Sequence, residues 1–141
     1  MEKSDVYQKL AESWLIEKNL ERFMTVEVVH DEKFKPKEDG LLGKVLKAPK
    51  YWDQLIPTDV IIVIREDILD TLEVEYGINY RDAAFEKILN YISWDAGNDK
   101  YVKVNPDVIE HSGILQKYGV DHVNSVKEAT RQIQEKMEEN S

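Results

Sequence analysis

The side chains best suited to bind a metal, or to move a proton near neutral pH, are three histidines: His30, His111 and His122. Histidine ligands that share a metal usually follow a short, regular spacing, as in H-E-x-x-H on one face of a helix. None of the three has such a partner. The chain has no cysteine, which excludes thiolate ligands, disulfides and thiol nucleophiles. We interpret the histidines as surface or half-buried side chains, since a shared metal site would need the fold to bring them together.

Other sequence patterns that could indicate catalysis or ligand binding are weaker. The adjacent acids Glu66-Asp67 and Glu138-Glu139 could suggest acid–base work, but neighbouring residues on a helix point in different directions, so they are interpreted as solvated charges. Residues 40–44 (GLLGK) match only part of the phosphate-loop pattern G-x-x-x-x-G-K-[ST] and are discounted. No Ser-His-Asp or glycine-rich nucleotide motif is present.

The charge of the chain bears on its partners. Its 141 residues carry a formal net charge of −9, with 42% hydrophobic and 33% charged residues, which is typical of one folded domain with its own core. Nucleic-acid-binding proteins usually present a basic surface, so a direct role on DNA or RNA is disfavoured. Two explanations of the acidity stay open. It is either an ordinary solvated surface, or a negative face that docks on a basic partner, for instance by imitating nucleic acid.

Export or membrane insertion is not expected. Residues 1–5 lack the basic segment and apolar stretch of a secretion signal. The longest apolar run, Val60 to Ile64, is too short to span a bilayer. The absence of cysteine suits a reducing compartment. We therefore expect a cytoplasmic protein.

The first half of the chain predicts a helix followed by strands. Apolar residues recur at helical spacing from Val6 to Leu15, which predicts a helix over residues 4–23 with Ser4 or Asp5 as its cap. Segments with β-branched or alternating apolar residues predict strands at residues 25–30, 44–48, 60–64 and 101–104. The third of these is continuously β-branched and bounded by turn residues, so it is expected to be a central strand covered on both faces.

Two helices are predicted after the central strand. The first runs from Glu66 to Val74, with Gly77 as its stop. The second covers residues 80–94, with Asn79 as its N-cap. Its buried stripe follows the spacing i, i+3, i+4, i+7 and consists of Phe85, Ile88, Leu89 and Ile92.

The last third predicts two more helices. One opens at Pro106 and stops near Gly119, and another begins at the S-x-x-E capping box of Ser125 and frays after Met137. There are too few strand–helix–strand units for a doubly wound sheet. The predicted fold is a single α+β domain over residues 1–141, with a three- or four-stranded sheet packed with helices.

Residues 25–119 resemble the phage metallopeptidase family in the order of their elements. A Gly-Lys-Val element at residues 43–45 precedes an aspartate-led apolar strand at residues 57–64 (PTDVIIVI). The helix in the place of H-E-x-x-H reads FEKILNYI over residues 85–92, and PDVIE at residues 106–110 follows. The resemblance implies a zincin-like core. An N-terminal helix at 4–23 and a C-terminal helix at 124–141, with a frayed tail, are added to that core.

In that family, the resemblance implies zinc held by two histidines one turn apart and by a downstream acid, with a glutamate as general base. Carried onto this sequence, the corresponding positions are Lys87, Ile88, Tyr91 and Glu110. Lysine repels a metal ion, isoleucine cannot move a proton, and neutral tyrosine is a poor ligand. No histidine lies between His30 and His111, so a shift of register restores nothing. The resemblance therefore implies a degenerate member without catalytic residues, metal or cofactor.

At about 100° per residue, Lys87 and Tyr91 lie opposite the predicted buried stripe, on the same side as Trp94. We hypothesise that the Lys87 ammonium occupies the vacated cation position and pairs with Glu110, while Tyr91 and Trp94 fill the cleft. The alternative is that Lys87 is an ordinary solvated lysine.

Aromatic residues also cluster in two places, at Tyr51-Trp52 and at Tyr91 with Trp94. Core packing is the default interpretation of both clusters. The alternative is a binding surface, because tyrosine and tryptophan anchor interfaces.

Three functions remain open. The leading one is a non-enzymatic phage or prophage protein in the host cell cytoplasm, which binds a protein partner and interferes with a host machine or defence factor. The second is a metal-dependent hydrolase with unorthodox ligands such as Glu110, His111 and His122. The third is a virion structural or assembly protein that oligomerises through the helix at residues 4–23.

Overall fold

The computed structural model describes residues 2–36, 41–48, 58–95, 100–103 and 118–139. These residues form an α+β fold of four helices and a four-stranded mixed sheet, with a separate two-stranded ribbon. The strands are β1 (Glu2–Lys3), β2 (Val26–His30), β3 (Gly43–Lys47), β4 (Val60–Ile64), β5 (Ile92–Asp95) and β6 (Lys100–Lys103). The helices are α1 (Asp5–Glu17), α2 (Glu66–Tyr76), α3 (Ile78–Leu89) and α4 (Val120–Glu139). The predicted α+β class is confirmed.

Strand β4 lies inside the sheet, whose order is β1-β2-β4-β3. It pairs in parallel with β2 and antiparallel with β3, so that Ile62 lies opposite both Val28 and Val45. All five residues of β4 are buried, which confirms the prediction of a central strand covered on both faces. Its β-branched side chains suit this environment because they pack well on a pleated surface.

The core lies mainly between one face of the sheet and the helices. Val60, Ile62 and Ile64 point to that face and join the buried apolar residues of α1, α2, α3 and α4 in one cluster. Ile61 and Val63 alternate to the other face, where they form a smaller buried cluster with Val29. Apolar packing against this face of the sheet therefore fixes the positions of the helices.

Helix α1 packs on its own domain. Its buried side chains are Tyr7, Ala11, Trp14 and Leu15. The Ser4 hydroxyl, which was expected to cap this helix, instead donates to Glu66 Oε1 of α2 at 2.8 Å. The helix ends at Glu17 and not at residue 23, because residues 18–23 form turns in which Asn19 has a φ of 59°. The apolar face of α1 is thus used within the molecule.

The side chain of Gln8 covers the part of the β2 edge that β1 leaves unpaired. Its amide nitrogen donates to the Val26 carbonyl at 2.9 Å, and its amide oxygen accepts from the Val28 N–H at 2.7 Å. The Ser4 N–H donates to the Val28 carbonyl at 3.0 Å. Residues at and near the start of α1 thus satisfy backbone groups of β2 that could otherwise pair with a strand of another chain.

The helix predicted over residues 80–94 is wrong at both ends. Gly77 and not Asn79 is its N-cap, and it ends at Leu89. The Asn90 side chain then donates to the Glu86 carbonyl at 2.7 Å. Ile92–Asp95 form β5, which pairs antiparallel with β6. Ile92 is buried as expected, but in a strand, because an apolar residue at this spacing fits either element.

The last helix begins at Val120, before the predicted capping box at Ser125. Gly119 has a φ of 84° and its carbonyl accepts from the Val123 N–H at 3.1 Å, so the glycine sets the start. The helix continues to Glu139, past the predicted fraying point at Met137. The helix predicted to open at Pro106 lies outside the described residues. Among the described residues, no helix combines the length and the apolar character needed to cross a bilayer.

Candidate functional site

Two of the positions implied by the metallopeptidase resemblance, Lys87 and Ile88, lie inside the molecule. Ile88 is fully buried and Lys87 is 8% exposed. Ala84, on the same side as Lys87, is also buried. Helix α3 packs against α2, α4 and β3, so it is covered on more than one side. The alternative that Lys87 is an ordinary solvated lysine is therefore wrong.

Ile88 is held close to the sheet by Gly43 at the start of β3. A Cβ atom built on Gly43 would lie 2.8 Å from Ile88 Cδ1 and 2.5 Å from the Val63 carbonyl oxygen. Both distances are shorter than real carbon contacts allow, so only glycine fits there. The position expected for a general base is consequently a packing contact between α3 and β3.

The remaining predicted site residues are dispersed or lie outside the described residues. Tyr91 is half-buried and packs against the main core. Trp94 lies opposite Tyr101 in the β5–β6 ribbon and not on the helix face with Lys87, so that part of the prediction is wrong. Four residues lie outside the described part of the chain: Tyr51, Trp52, Glu110 and His111. The pairing of Lys87 with Glu110 stays a prediction.

Two of the histidines have structural roles in different places. His30, at the end of β2, accepts a hydrogen bond at Nδ1 from the Glu66 N–H at 3.0 Å, so it satisfies a backbone donor at the start of α2. The His122 ring meets the edge of Tyr80, with centroids 5.0 Å apart, and stacks on Tyr118 at 5.4 Å. Across the described ranges, no group of three or more histidine, aspartate or glutamate side chains is arranged to hold a metal.

Three large apolar residues are exposed where α2 meets α3. We call residues 74–78 the α2–α3 corner. Val74 is 85% exposed, Ile78 is 51% exposed and Tyr76 is 37% exposed. Val74 and Tyr76 lie two residues apart on α2, so their side chains leave the helix on different sides.

The corner is fixed in shape by the turn between the two helices. Gly77 ends α2 and starts α3 with a φ of 105°, a left-handed conformation that favours glycine. Its N–H contacts the carbonyls of Leu72 and Glu73 at 3.2 and 3.0 Å. The Tyr76 ring stacks on Tyr80 at 5.3 Å, with the ring planes 11° apart. The Tyr76 hydroxyl donates to Gln132 Oε1 of α4 at 3.0 Å.

Arg81 ties the two helices together beneath the corner. Its side chain is 9% exposed and donates to Glu73 of α2 at 2.8 Å and to Asp82 of α3 at 2.9 Å. Burial alone would lower the pKa of Arg81, but these two carboxylates raise it above its ordinary value. The guanidinium also lies 5.9 Å from the centre of the Tyr7 ring. The charge of Arg81 is thus committed to intramolecular contacts.

Two tyrosines lie inside or partly inside the molecule, the buried Tyr7 and the half-buried Tyr118. Burial, followed by the hydrogen bond of 2.8 Å to Asp70, raises the pKa of Tyr7 far above its ordinary value. Burial and the neighbouring Glu86 carboxylate raise the pKa of Tyr118 in the same direction. Both groups are therefore neutral hydrogen-bond donors at physiological pH and are poor candidates for nucleophiles.

The corner is the feature that the sequence prediction missed, although a signal was present. The buried residues of α2 are Ile68, Leu69 and Leu72, which follow a helical stripe. Val74 falls off that stripe, and Ile78 follows directly after the predicted stop at Gly77. Apolar residues that lie off the buried face are candidates for exposure.

Comparison of the chain with protein-family models, with curated proteins and with solved structures finds no match. The interpretation of the site therefore rests on the geometry of this chain, in which the last turn of α3 is packed and the α2–α3 corner is exposed.

Proposed function

We propose that this protein acts by binding another protein and not by catalysis. The observation that carries the proposal is the α2–α3 corner, where Val74, Tyr76 and Ile78 are exposed on a turn held by both helices and by α4. Binding energy in protein interfaces concentrates in a few large, well-positioned side chains. A rigid turn also reduces the ordering cost of association.

The packing of α3 supports the non-catalytic part of the proposal. A peptidase must bring substrate and water to its metal ligands and general base. Here the corresponding positions hold Lys87, which is 8% exposed, and Ile88, which is fully buried against β3. A helix packed in this way supports the fold and offers no access for a peptide at these residues.

We further propose that the scaffold derives from the zincin-like phage metallopeptidases, so that the protein is a phage or prophage product acting in the host cytoplasm. The succession of β2, β3, β4, α2 and α3 is compatible with the order of elements in that resemblance. The partner would then be a component of a host machine or of a defence system, and binding would inhibit it.

The proposal is tested by identifying and reconstituting a complex. Immobilised protein is incubated with bacterial lysate, and each captured protein is purified and titrated against the free chain by calorimetry. We expect at least one stoichiometric complex. In parallel, the purified protein is supplied with zinc and assayed on a peptide library. Hydrolysis that a chelator abolishes, together with no reconstituted complex, would contradict the proposal.

A further inference from the structure

We draw no further inference here: the strongest candidate, the cavity of about 290 Å³ beside the edge of β2 that Asp5, Glu12 and Glu27 line, carries nothing because Glu12 is hydrogen-bonded to Gln8 and Glu27 is paired with Lys3, and nothing in the described part of the chain shows what would occupy it.

Discussion

The two ends of helix α3 carry the same kind of side chain in opposite surroundings. Ile78 begins the helix and is 51% exposed, whereas Ile88, near its end, is fully buried. The difference comes from the neighbours: Ile88 lies against β3 at Gly43, while Ile78 follows the turn at Gly77. The position that the metallopeptidase resemblance assigns to a catalytic residue is thus core, and the residues that we propose for partner binding lie at the other end of the helix.

Replacing Ile88 by alanine should have the largest effect. The substitution removes methyl and methylene groups from a fully buried site and leaves a cavity, which typically costs about 2–5 kcal/mol in the free energy of unfolding. Urea denaturation followed by circular dichroism measures the change. A loss below about 0.5 kcal/mol would indicate that this end of α3 is open to solvent, and the contrast between the two ends would disappear.

Gly43→Ala tests the contact between α3 and β3 from the other side. The added methyl would meet Ile88 Cδ1 and the Val63 carbonyl oxygen, so the strand or the helix must shift. We expect a destabilisation of about 1–3 kcal/mol, as for other overpacked sites.

Combining Gly43→Ala with Ile88→Ala should give less than the sum of the two single losses, because one of the two close contacts is relieved. Strict additivity in the urea midpoints would show that residues 43 and 88 are not in contact.

Alkaline pH should weaken the buried framework. The pKa of Tyr7 is raised in the folded state by burial and by Asp70, so the folded protein holds this proton more tightly than the unfolded chain. The resulting stability is complete below the unfolded pKa of about 10 and is lost as pH rises above it. Urea midpoints measured from about pH 8 to 11 should therefore stay level at first and fall above about pH 10. Tyr7→Phe should flatten this fall more than Tyr76→Phe at the exposed corner, and equal slopes would contradict the assignment.

Ile78→Ala should have the smallest effect on stability. Because Ile78 is 51% exposed, its truncation should change the free energy of unfolding by no more than about 0.5 kcal/mol. The same urea experiment as for Ile88→Ala makes the two variants directly comparable. A loss as large as that of Ile88→Ala would mean that Ile78 supports the fold and is unavailable to a partner.

Local sequence patterns correctly predicted those helices and strands whose own residues indicate their surroundings. The β-branched run Val60–Ile64 predicted a central strand because few other environments suit such a run. Gly77 correctly predicted the end of α2, since glycine readily adopts the conformation needed there. The secondary structure of Ile92 could not be predicted, because an apolar residue at this spacing fits both a helix and a strand. Its pairing with Lys103 of β6 becomes visible only in the folded chain.

The candidate site was less predictable than the fold. Lysine is rarely buried, so nothing local indicated that Lys87 would lie inside the molecule. Helical periodicity marked Val74 as lying off the buried stripe of α2, but it did not bear on Ile78, which follows the turn at Gly77.

The most direct test of the contrast between packed helix and exposed corner is the chemical reactivity of Lys87. The native protein is treated with a lysine-acylating reagent, and the modified positions are quantified by peptide mass spectrometry, with the exposed Lys9 of α1 as internal reference. Because Lys87 is 8% exposed, we predict that Lys9 is modified readily while Lys87 stays largely unmodified until the protein is denatured. Modification of Lys87 at the rate of Lys9 in the folded protein would contradict the account, since α3 would then present an open face at Lys87.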